Sequence, residues 1–445
     1  MSGAERIGCD FLVIGAGMAG LTAAARAAEA GARVIVVEKA AEIGGSAALS
    51  GGFVWTTTSR AHMAYHDDGD PRLHDVVVDL YPAVLAWLRQ RGIEMGPPQR
   101  VLFGRGYQID ILGYLQHCSA LVEGAGGHIV RNTDTVELLR RGGRVAGALT
   151  RHPDGEVEVE AGQVLLATGG FQGSEQLRAE LIHPAARQMP LRSNPTSRGD
   201  GLRLGIAAGG AYAGPNAGFY GHLLAWPVPL ERSADFVTFT QYHSDHGVLL
   251  NRQGRRFVDE SRADHESTQH TLRQDGARAL LVWDARVQEE IATAPPVAGT
   301  APLDRFELAI AAGAKGAQLT ELGELPAFAG TLGYDGAACL ATLEAYNQAM
   351  RQAPEAIVPA RVDHARALER SPYHVLEVCP AITFTFGGLF VDAAARALDP
   401  FGAPLEGLLV AGADAGNIYR NGYAGGLALA ATFGYRAAET AGYSR

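Results

Sequence analysis

Apolar and glycine-rich positions follow one another at the start of the chain in an order that predicts a strand, a helix and a second strand. An apolar run over Phe11–Ile14 leads into the sequence GAGMAG at residues 15–20. An alanine-rich helical pattern then extends to Ala30, and a second apolar run over Val34–Val37 ends at Glu38. This order is typical of the first βαβ unit of a doubly wound α/β sheet.

The glycines of this unit stand where a bound dinucleotide would need them. Gly15 allows a tight turn, Gly17 lets the backbone approach a pyrophosphate, and Gly20 lets the helix pack closely on the strand. The first helical turn offers unpaired N–H groups and a positive dipole end to the phosphates. Glu38 is placed to bind an adenosine ribose. The spacing predicts dinucleotide binding, and the alternative is an ordinary glycine-rich turn between strand and helix.

Further along the chain, the hydrophobic pattern predicts both helices and strands. Tyr81 and Trp87 lie beside an apolar helical stripe and are expected in the core. The strands between residues 128 and 160 suit a second sheet layered on the main one. The predicted segments are helices over Arg60–Gly92 and Ile109–Gly124, strands over His128–Val130, Thr133–Arg140, Arg144–Arg151 and Glu156–Glu160, a helix over Leu202–Ala208, two short strands around a Gln-Gly turn within residues 247–260, helical pieces within Leu319–Met350 separated at Pro326 and Gly330, and a final helix over Leu427–Ala438.

Length and charge narrow the class of protein. A chain of 445 residues suggests two or three folding units. The formal net charge of −10 argues against binding to nucleic acid or to an acidic membrane surface. No run of 18 apolar residues is present and the first apolar run begins almost at once, so we expect neither a membrane span nor a secretion signal.

The four cysteines are single and scattered, at positions 9, 118, 339 and 379. No CxxC, CxxCH or Cys/His motif is present, so the sequence predicts no iron–sulfur, haem or zinc site. Free thiols in a reducing cytoplasm are the expected state. If the protein performs redox chemistry, an external partner or dioxygen must exchange its electrons.

A second glycine loop follows the ribose acid and favours FAD over NAD. Its glycine pairs and serines would follow the pyrophosphate and the ribityl chain towards a flavin ring. Its members are Lys39, Gly44, Gly45, Ser46, Ser50, Gly51 and Gly52.

At this point the sequence resembles the FAD-binding family of fumarate reductases, succinate dehydrogenase flavoproteins, 3-ketosteroid dehydrogenases and tricarballylate dehydrogenase. The resemblance continues at Ala167-Thr168-Gly169-Gly170, at Gly387-Gly388-Leu389 and over Gly407–Asp414. It implies an α/β fold with an α+β cap: a doubly wound, Rossmann-like FAD domain over residues 1–210 and 373–445, a capping and substrate domain over 211–372, and a pocket where they meet. It also implies non-covalent FAD, because no histidine or cysteine replaces Ser46–Ser50.

The resemblance marks further cofactor contacts. The turn Ser197–Gly201 either faces the cofactor or caps a helix with no ligand. The glycines before the final helix either point N–H groups at the flavin N1–C2=O edge, as in the family, or simply cap the helix. The expected cofactor contacts are Gly15, Gly17, Met18, Ala19, Gly20, Glu38, Lys39, Gly44, Gly45, Ser46, Ser50, Gly51, Gly52, Val136, Ala167, Thr168, Gly169, Asp200, Gly388, Asp414, Gly425, Gly426 and Leu427.

Flavin chemistry on a carbon skeleton needs a general acid or base and a group that holds a carbonyl or carboxylate oxygen. The ketosteroid dehydrogenases keep a tyrosine next to a glycine-rich turn, and the family's substrate arginine lies near the last helix. The candidates here are Tyr419, Arg420 and Tyr423 in the terminal loop, Tyr220, His222 and Tyr242 in the cap, and Tyr107 after a glycine turn. For each, a surface or core position without a catalytic role is the alternative.

Two departures from the family weigh against a fumarate reductase. The proton-donor arginine of those enzymes corresponds to Asp264 here, and Arg262 is out of register. Their histidine pair corresponds to Thr383 and Phe384. Both departures favour desaturation over reduction.

The sequence therefore predicts a cytoplasmic FAD-dependent oxidoreductase acting on a carbon–carbon bond next to a carbonyl or carboxyl group. Its partners would be a small organic substrate and an external electron acceptor or donor. One alternative is an amine or hydroxy-acid oxidase that uses dioxygen. Another is a flavin-free carrier with the same fold.

Overall fold

The computed structural model describes residues 5–231, 233–295 and 301–444. Its strands are β1 Glu5–Ile14, β2 Val34–Val37, β3 Phe53–Thr56, β4 Gln99–Val101, β5 Gly104–Gln108, β6 His128–Val130, β7 Asp134–Arg141, β8 Arg144–His152, β9 Gly155–Leu166, β10 Tyr212–Ala213, β11 Phe219–Ala225, β12 Val248–Leu250, β13 Ala279–Asp284, β14 Gly316–Leu319, β15 Tyr373–Thr385, β16 Gly388–Leu389, β17 Arg396–Leu398 and β18 Pro404–Val410. Its helices are α1 Met18–Glu29, α2 Arg60–His66, α3 Pro71–Gln90, α4 Ile111–Gly124, α5 Glu175–Leu181, α6 Asp200–Ala207, α7 Ser233–Phe239, α8 Asp264–Leu272, α9 Ala285–Val287, α10 Arg305–Ala311, α11 Leu325–Thr331, α12 Gly336–Gln352 and α13 Gly426–Thr440.

The chain forms two compact units, and each draws on separate stretches of sequence. Unit 1 comprises residues 1–182, 193–219 and 384–445. Unit 2 comprises residues 183–192 and 220–383. The inserted stretch thus begins and ends about ten residues later than the predicted 211–372, and residues 183–192 join it. Its role as a cap stays a prediction.

The main sheet of unit 1 is largely parallel. Its strand order is β17-β18-β9-β1-β2-β6, and β8 and β7 continue from β9. Phe11 pairs with Val34 on β2, and Ile14 pairs with Leu166 on β9. The apolar runs of β1 and β2 are buried, as expected for parallel strands covered on both faces. Helix α1 packs against α4 and α13. The predicted α/β class is confirmed.

The prediction of a separate sheet over residues 128–160 is wrong. Strand β9 runs unbroken from Gly155 to Leu166, and its residues 157–161 and 163–166 pair with β1. On its other side the first half pairs with β8 and the last three residues pair with β18. The β7–β8 hairpin is therefore an extension of the main sheet, because one long strand serves both.

Unit 2 is built around an antiparallel sheet that is buried on both faces. Its order is β11-β15-β13-β12, with β14 also beside β15. On β13, Leu281 and Trp283 pack into one apolar cluster with Phe306. The alternate residues Leu280 and Val282 belong to a second cluster. The unbroken apolar run Ala279–Trp283 of β13 is thus explained by a core on each side.

Two other predicted elements differ in detail. The predicted helix over Arg60–Gly92 is divided into α2 and α3, because residues 67–70 leave the helix. The turn at Asn251–Gly254 is present, but only β12 precedes it as a strand, and the side after the turn is not a strand. There the chain turns so that Arg256 forms a buried ion pair with Glu260. In the described part of the chain, no helix combines the length and apolarity needed to cross a bilayer.

Candidate functional site

The start of α1 in unit 1 is a helix N-terminus without a side-chain cap. Gly17 is the N-cap with extended backbone, and no side chain caps the helix. The first intrahelical bond is donated by Leu21 to Gly17, so the N–H groups of Met18, Ala19 and Gly20 have no acceptor within the helix. A Cβ built on Gly17 would meet only the Gly44 carbonyl oxygen, at 3.9 Å. The space that a side chain would fill is therefore free for a phosphate group.

The other two glycines of this turn are required by close backbone contacts. Gly15 has φ +107°, and a Cβ there would lie 2.3 Å from the carbonyl oxygen of Ala167. A Cβ on Gly20 would lie 1.9 Å from the Gly15 carbonyl oxygen. Close backbone contacts thus explain Gly15 and Gly20, whereas Gly17 faces open space and its contact with a pyrophosphate stays a prediction.

The second glycine loop lies directly against the first. The N–H of Gly44 donates to the Ala16 carbonyl at 2.8 Å, and Gly44 bridges to Gly17. Gly44, Gly45 and Gly52 all have positive φ. The Ser46 hydroxyl is 2.6 Å from that of Ser193. The Ser50 hydroxyl donates to the Ala47 carbonyl, and a Cβ on Gly51 would meet nothing within 4 Å.

Glu38 connects the end of β2 to the glycine turn. Its carboxylate accepts N–H bonds from Ala16 and Ala40, both at 2.8 Å, and the residue is 8% exposed. Each oxygen keeps a lone pair for a further donor such as a ribose hydroxyl. Its neighbour Lys39 forms an ion pair with Asp200 at the start of α6.

A buried carboxylate organises the segment after β9. Asp414 accepts hydrogen bonds from the N–H and hydroxyl of Thr168 and from the N–H of Gly170. Burial raises the pKa of Asp414, although these N–H groups oppose the shift. The Thr168 hydroxyl accepts the N–H of Gly201 on α6. Asp414 thereby joins three stretches of unit 1 that are far apart in sequence.

Three more of the predicted cofactor contacts, Gly169, Gly388 and Val136, lie close to neighbouring segments of unit 1. A Cβ on Gly388 would lie 2.4 Å from the Asp414 carbonyl oxygen, and one on Gly169 would lie 2.9 Å from the Ser197 hydroxyl. The Val136 carbonyl accepts a bond from Arg203 of α6.

The start of α13 is a second helix N-terminus without a side-chain cap, because its N-cap residue is a glycine. Gly425 is its N-cap with φ +96°, and a Cβ there would lie 1.8 Å from the Trp55 carbonyl oxygen. The N–H of Gly426 donates to the Tyr423 hydroxyl at 2.9 Å. The first intrahelical bond runs from Leu429 to Gly425, so the N–H of Leu427 has no intrahelical acceptor. This end of α13 can therefore stabilise negative charge on a ligand.

Asp67 holds the terminal loop that contains the predicted Tyr419, Arg420 and Tyr423. One of its oxygens accepts the N–H groups of Arg420, Asn421 and Gly422 at 2.7–2.9 Å. The other accepts the N–H of Gly69 and bonds to His74 at 2.9 Å. Burial alone would raise the pKa of Asp67, but these hydrogen bonds outweigh it and lower the pKa. The carboxylate is thus an ionised anchor for the loop.

Replacing Asp67 with asparagine is expected to lower the free energy of unfolding by about 3 kcal/mol, because the new NH₂ group would face N–H donors in a buried place. Urea unfolding would measure the loss. Asp70→Asn is the matched control, since asparagine also caps the start of α3 and should cost under about 1 kcal/mol. The contribution of Asp67 should be full above about pH 4 and lost only as the pH falls through its lowered folded-state pKa. Equal losses in the two variants would contradict this role.

The structure places the three terminal-loop candidates in different environments. Tyr419 is fully buried and donates to the Gly425 carbonyl at 3.3 Å, and burial raises its pKa far above the ordinary value. Arg420 has an exposed side chain. Tyr423 is 9% exposed and packs edge-on against Trp55. Of the three, Tyr419 is least suited to proton transfer, because its hydroxyl is committed to the backbone.

A cluster in unit 2 brings together the predicted Tyr220, His222 and Tyr242. The rings of Tyr220 and Tyr242 lie edge-on to His222, with centroids at 4.9 and 5.4 Å. The Nδ1 atom of His222 is hydrogen-bonded to the carboxylate of Asp264 at the start of α8. Arg192 donates to the Tyr242 hydroxyl at 3.0 Å. We call these five residues the His222 cluster.

The charges of the His222 cluster favour a neutral imidazole beside a carboxylate. Burial lowers the pKa of His222, and the nearby Arg192 adds to this, while the attraction of Asp264 opposes it. Burial alone would raise the pKa of Asp264, but His222, His265 and Arg192 hold it below the ordinary value. The Nε2 atom of His222 is buried and has no partner among the described residues. An imidazole fixed at Nδ1 by a carboxylate, with Nε2 open, has the arrangement of a general base.

Two members of this neighbourhood gave no clear signal in the sequence. The backbone N–H of Arg192 donates to the Ile382 carbonyl at 2.7 Å, which holds Arg192 beside β15. Nothing in the local sequence indicates that Arg192 is a site residue. Asp264 was visible only as a departure from the family pattern. On the same strand, β15, Thr383 has a buried hydroxyl with no partner in the described part of the chain.

The last predicted site residue, Tyr107, lies in unit 1 on β5. It is half-buried, and the guanidinium of Arg89 lies over its ring.

The comparisons with known proteins agree with this geometry. The model of the FAD binding domain family matches residues 10–92 and 110–427. A fumarate reductase (cytochrome) of Shewanella frigidimarina is 26% identical over 97% of this chain and 76% of its own length. A 4-oxocyclohexanecarboxylate 2-dehydrogenase of Sinomonas cyclohexanicum is 26% identical over 98% of this chain and 93% of its own. The structure of the 3-ketosteroid-Δ4-(5α)-dehydrogenase of Rhodococcus jostii superposes with a TM-score of 0.79 at 21% identity, covering 99% and 98% of the two chains.

The fold and the open helix N-terminus between two glycine loops define a flavoprotein of the FAD-dependent oxidoreductase class. The chain belongs to the FAD binding domain family. The predicted family, cofactor and enzyme class are confirmed, while the roles of individual site residues stay predictions.

Proposed function

We propose that this FAD-dependent oxidoreductase introduces a carbon–carbon double bond next to the carbonyl or carboxyl group of a small organic substrate. The reverse reduction is the alternative direction. The observation on which the proposal rests is the buried His222–Asp264 pair, because desaturation begins with loss of a proton from carbon and needs a neutral base. We further propose a cytoplasmic protein with non-covalent FAD and an external electron acceptor.

The residues of unit 1 fit FAD. The N–H groups at the start of α1 would hold the pyrophosphate, Glu38 the adenosine ribose, and the start of α13 the flavin edge that becomes negative on reduction. When bound, FAD supplies the hydride acceptor.

The His222 cluster would supply the proton chemistry. In the forward direction Nε2 of His222 takes the proton from the carbon next to the carbonyl, while the hydride leaves the adjacent carbon. Asp264 keeps the proton of the imidazole on Nδ1 and stabilises the imidazolium that forms. Arg192 and the Tyr242 hydroxyl would bind the substrate's carbonyl or carboxylate oxygen, and so stabilise the negative charge that develops on it.

The relatives support this reaction class without identifying the substrate. One is named for reduction of fumarate and another for dehydrogenation of 4-oxocyclohexanecarboxylate. This chain has Asp264 where the fumarate reductases have a proton-donor arginine, and a carboxylate that orients a base suits desaturation better. We therefore favour a saturated ketone or keto acid as the substrate.

Anaerobic bleaching of the oxidised flavin tests the proposal. The FAD-loaded protein would be mixed with 4-oxocyclohexanecarboxylate, a saturated 3-ketosteroid, succinate, an amine and a hydroxy acid. We expect bleaching by a ketone or carboxylate and a product lighter by two hydrogen atoms. Bleaching by the amine or hydroxy acid alone would indicate an oxidase. The proposal is refuted if every saturated compound leaves the flavin oxidised and no unsaturated counterpart reoxidises the reduced protein.

A further inference from the structure

Three side chains with metal-ligand chemistry meet in unit 2, outside the His222 cluster. Asp245 and His246 lie in the 3-10 turn Ser244–His246, and His364 comes from the segment before β15. One ligand atom from each lies within 4.8 Å of the other two. Asp245 Oδ1 is 3.8 Å from His246 Nε2, and Asp245 Oδ2 is 3.8 Å from His364 Nε2. The imidazole rings are stacked, with centroids 3.9 Å apart.

The surrounding contacts leave the three ligand atoms available and hold their backbones in place. The buried Arg361 donates to the carbonyl oxygens of Asp245 and Gly247, not to the Asp245 carboxylate. Its charge is paired with Glu260 at 3.3 Å. The segment that contains His364 is therefore joined to the turn that contains Asp245 without using any of the three ligand groups.

His364 also has a carboxylate behind its second ring nitrogen. Its Nδ1 lies 3.7 Å from Asp363 Oδ1, while its Nε2 faces Asp245. A carboxylate behind the far nitrogen of a ligating histidine is a recurrent second contact of metal sites, because it fixes the tautomer. A pocket whose lining includes both histidines together with Glu290, Arg286 and Arg366 adjoins the two imidazoles, and a solvent ligand could enter from it.

We propose that Asp245, His246 and His364 bind one divalent transition-metal ion of the Zn²⁺ type. Two imidazoles and one carboxylate suit Zn²⁺ or Co²⁺ and not Mg²⁺ or Ca²⁺, which prefer oxygen ligands. Bonds of about 2.0–2.1 Å in a tetrahedral site bring ligand atoms to about 3.3 Å from one another. The ligand atoms lie within 4.8 Å of one another, so closing them to this distance requires side-chain movements of up to about 1.5 Å. The ion would tie the two segments together, and water would complete its coordination.

Metal titration of the full-length, FAD-loaded protein tests this site independently of activity. After chelator treatment and dialysis at about pH 7.5, ZnCl₂ would be titrated by calorimetry, and CoCl₂ would be followed by its visible absorption. We expect one ion per chain. His246→Gln and His364→Gln should each weaken binding by at least about tenfold. His152→Gln, which removes a histidine paired with Asp154 on unit 1, is the matched control and should bind like the wild type.

The outcomes separate a built site from adventitious binding. The flavin spectrum and circular dichroism of the variants confirm that they fold. The proposal fails if the wild type binds Zn²⁺ no better than the folded double variant H246Q/H364Q, or if H152Q weakens binding as much as the ligand variants do. Excess Mg²⁺ should not compete, and competition by Mg²⁺ would also contradict the site.

Discussion

Replacing His222 with glutamine is expected to lower kcat for desaturation by about 100-fold or more, the usual contribution of a positioned general base. Glutamine keeps a polar side chain of similar length but cannot accept a proton. Because His222 lies in unit 2 and the residues that fit FAD lie in unit 1, the flavin content should stay unchanged. Stopped-flow bleaching of the FAD-loaded variant with the substrate found for the wild type would measure the loss.

The pH profile separates a catalytic His222 from a merely structural one. Since burial lowers its pKa, the wild-type kcat/KM should persist as the pH falls through about 6.5 and drop only at the lowered value. Asp264→Asn should slow the reaction and move this acidic limb to still lower pH, because it removes the carboxylate that raises the His222 pKa. The double variant should be little worse than His222→Gln.

His270→Gln is the matched control, since His270 is exposed on the same helix as Asp264. It should keep the wild-type rate and pH profile. A His222→Gln protein that retains the wild-type rate would rule out this base. Tyr423→Phe would then be the next variant to test, because its hydroxyl lies at the start of α13.

Replacing Gly17 with valine is expected to weaken FAD binding by about 100-fold or more while the chain still folds. The backbone of Gly17 is extended, with φ −85°, and its Cβ position is open, so the protein itself tolerates a side chain there. That side chain would occupy the space through which the pyrophosphate reaches the N–H groups of α1. Losing two hydrogen bonds to a charged group, at about 1.5 kcal/mol or more each, corresponds to about 100-fold.

FAD titration of the apoprotein, followed by flavin fluorescence, would measure the effect. Gly8→Val is the matched control, because Gly8 lies on β1, the strand that leads into this turn, is exposed and has nothing within 4 Å of its Cβ position. It should bind FAD like the wild type. The thermal unfolding temperatures of the two variant apoproteins should differ little from that of the wild-type apoprotein. A Gly17→Val protein with normal FAD affinity would show that the phosphate does not bind at this turn.

Most of unit 1 was predictable because its signals are local. The strand, glycine turn, helix and acid lie within 30 residues, and Gly15 and Gly20 each have a separate steric reason. The end of α1 and both boundaries of α4 and α13 fall within one or two residues of the predicted ones. The error over residues 128–160 arose because strand pairing is not a local property: nothing in the sequence of β9 shows that it pairs with β1 on one side and with both β8 and β18 on the other.

Unit 2 was less predictable because the strands that pair in its sheet come from distant segments. The predicted hairpin after β12 is wrong, since β12 pairs instead with β13, some thirty residues later. The ion pair of Arg256 with Glu260 occupies the place where the second strand was expected. The Gln-Gly pair in the sequence predicted the turn after β12, but it did not predict which strand pairs with β12.

By itself, the sequence determined that this protein has a doubly wound unit that binds FAD, because spacing and periodicity within a short stretch decide a βαβ turn. Only the tertiary structure decided that His222 meets Asp264, that Asp67 anchors the terminal loop, and that His364 stands beside Asp245. The residues that meet are separated by between 42 and 355 residues. Their meeting depends on how sheets pair and helices pack over the whole chain, which no local pattern of residues records.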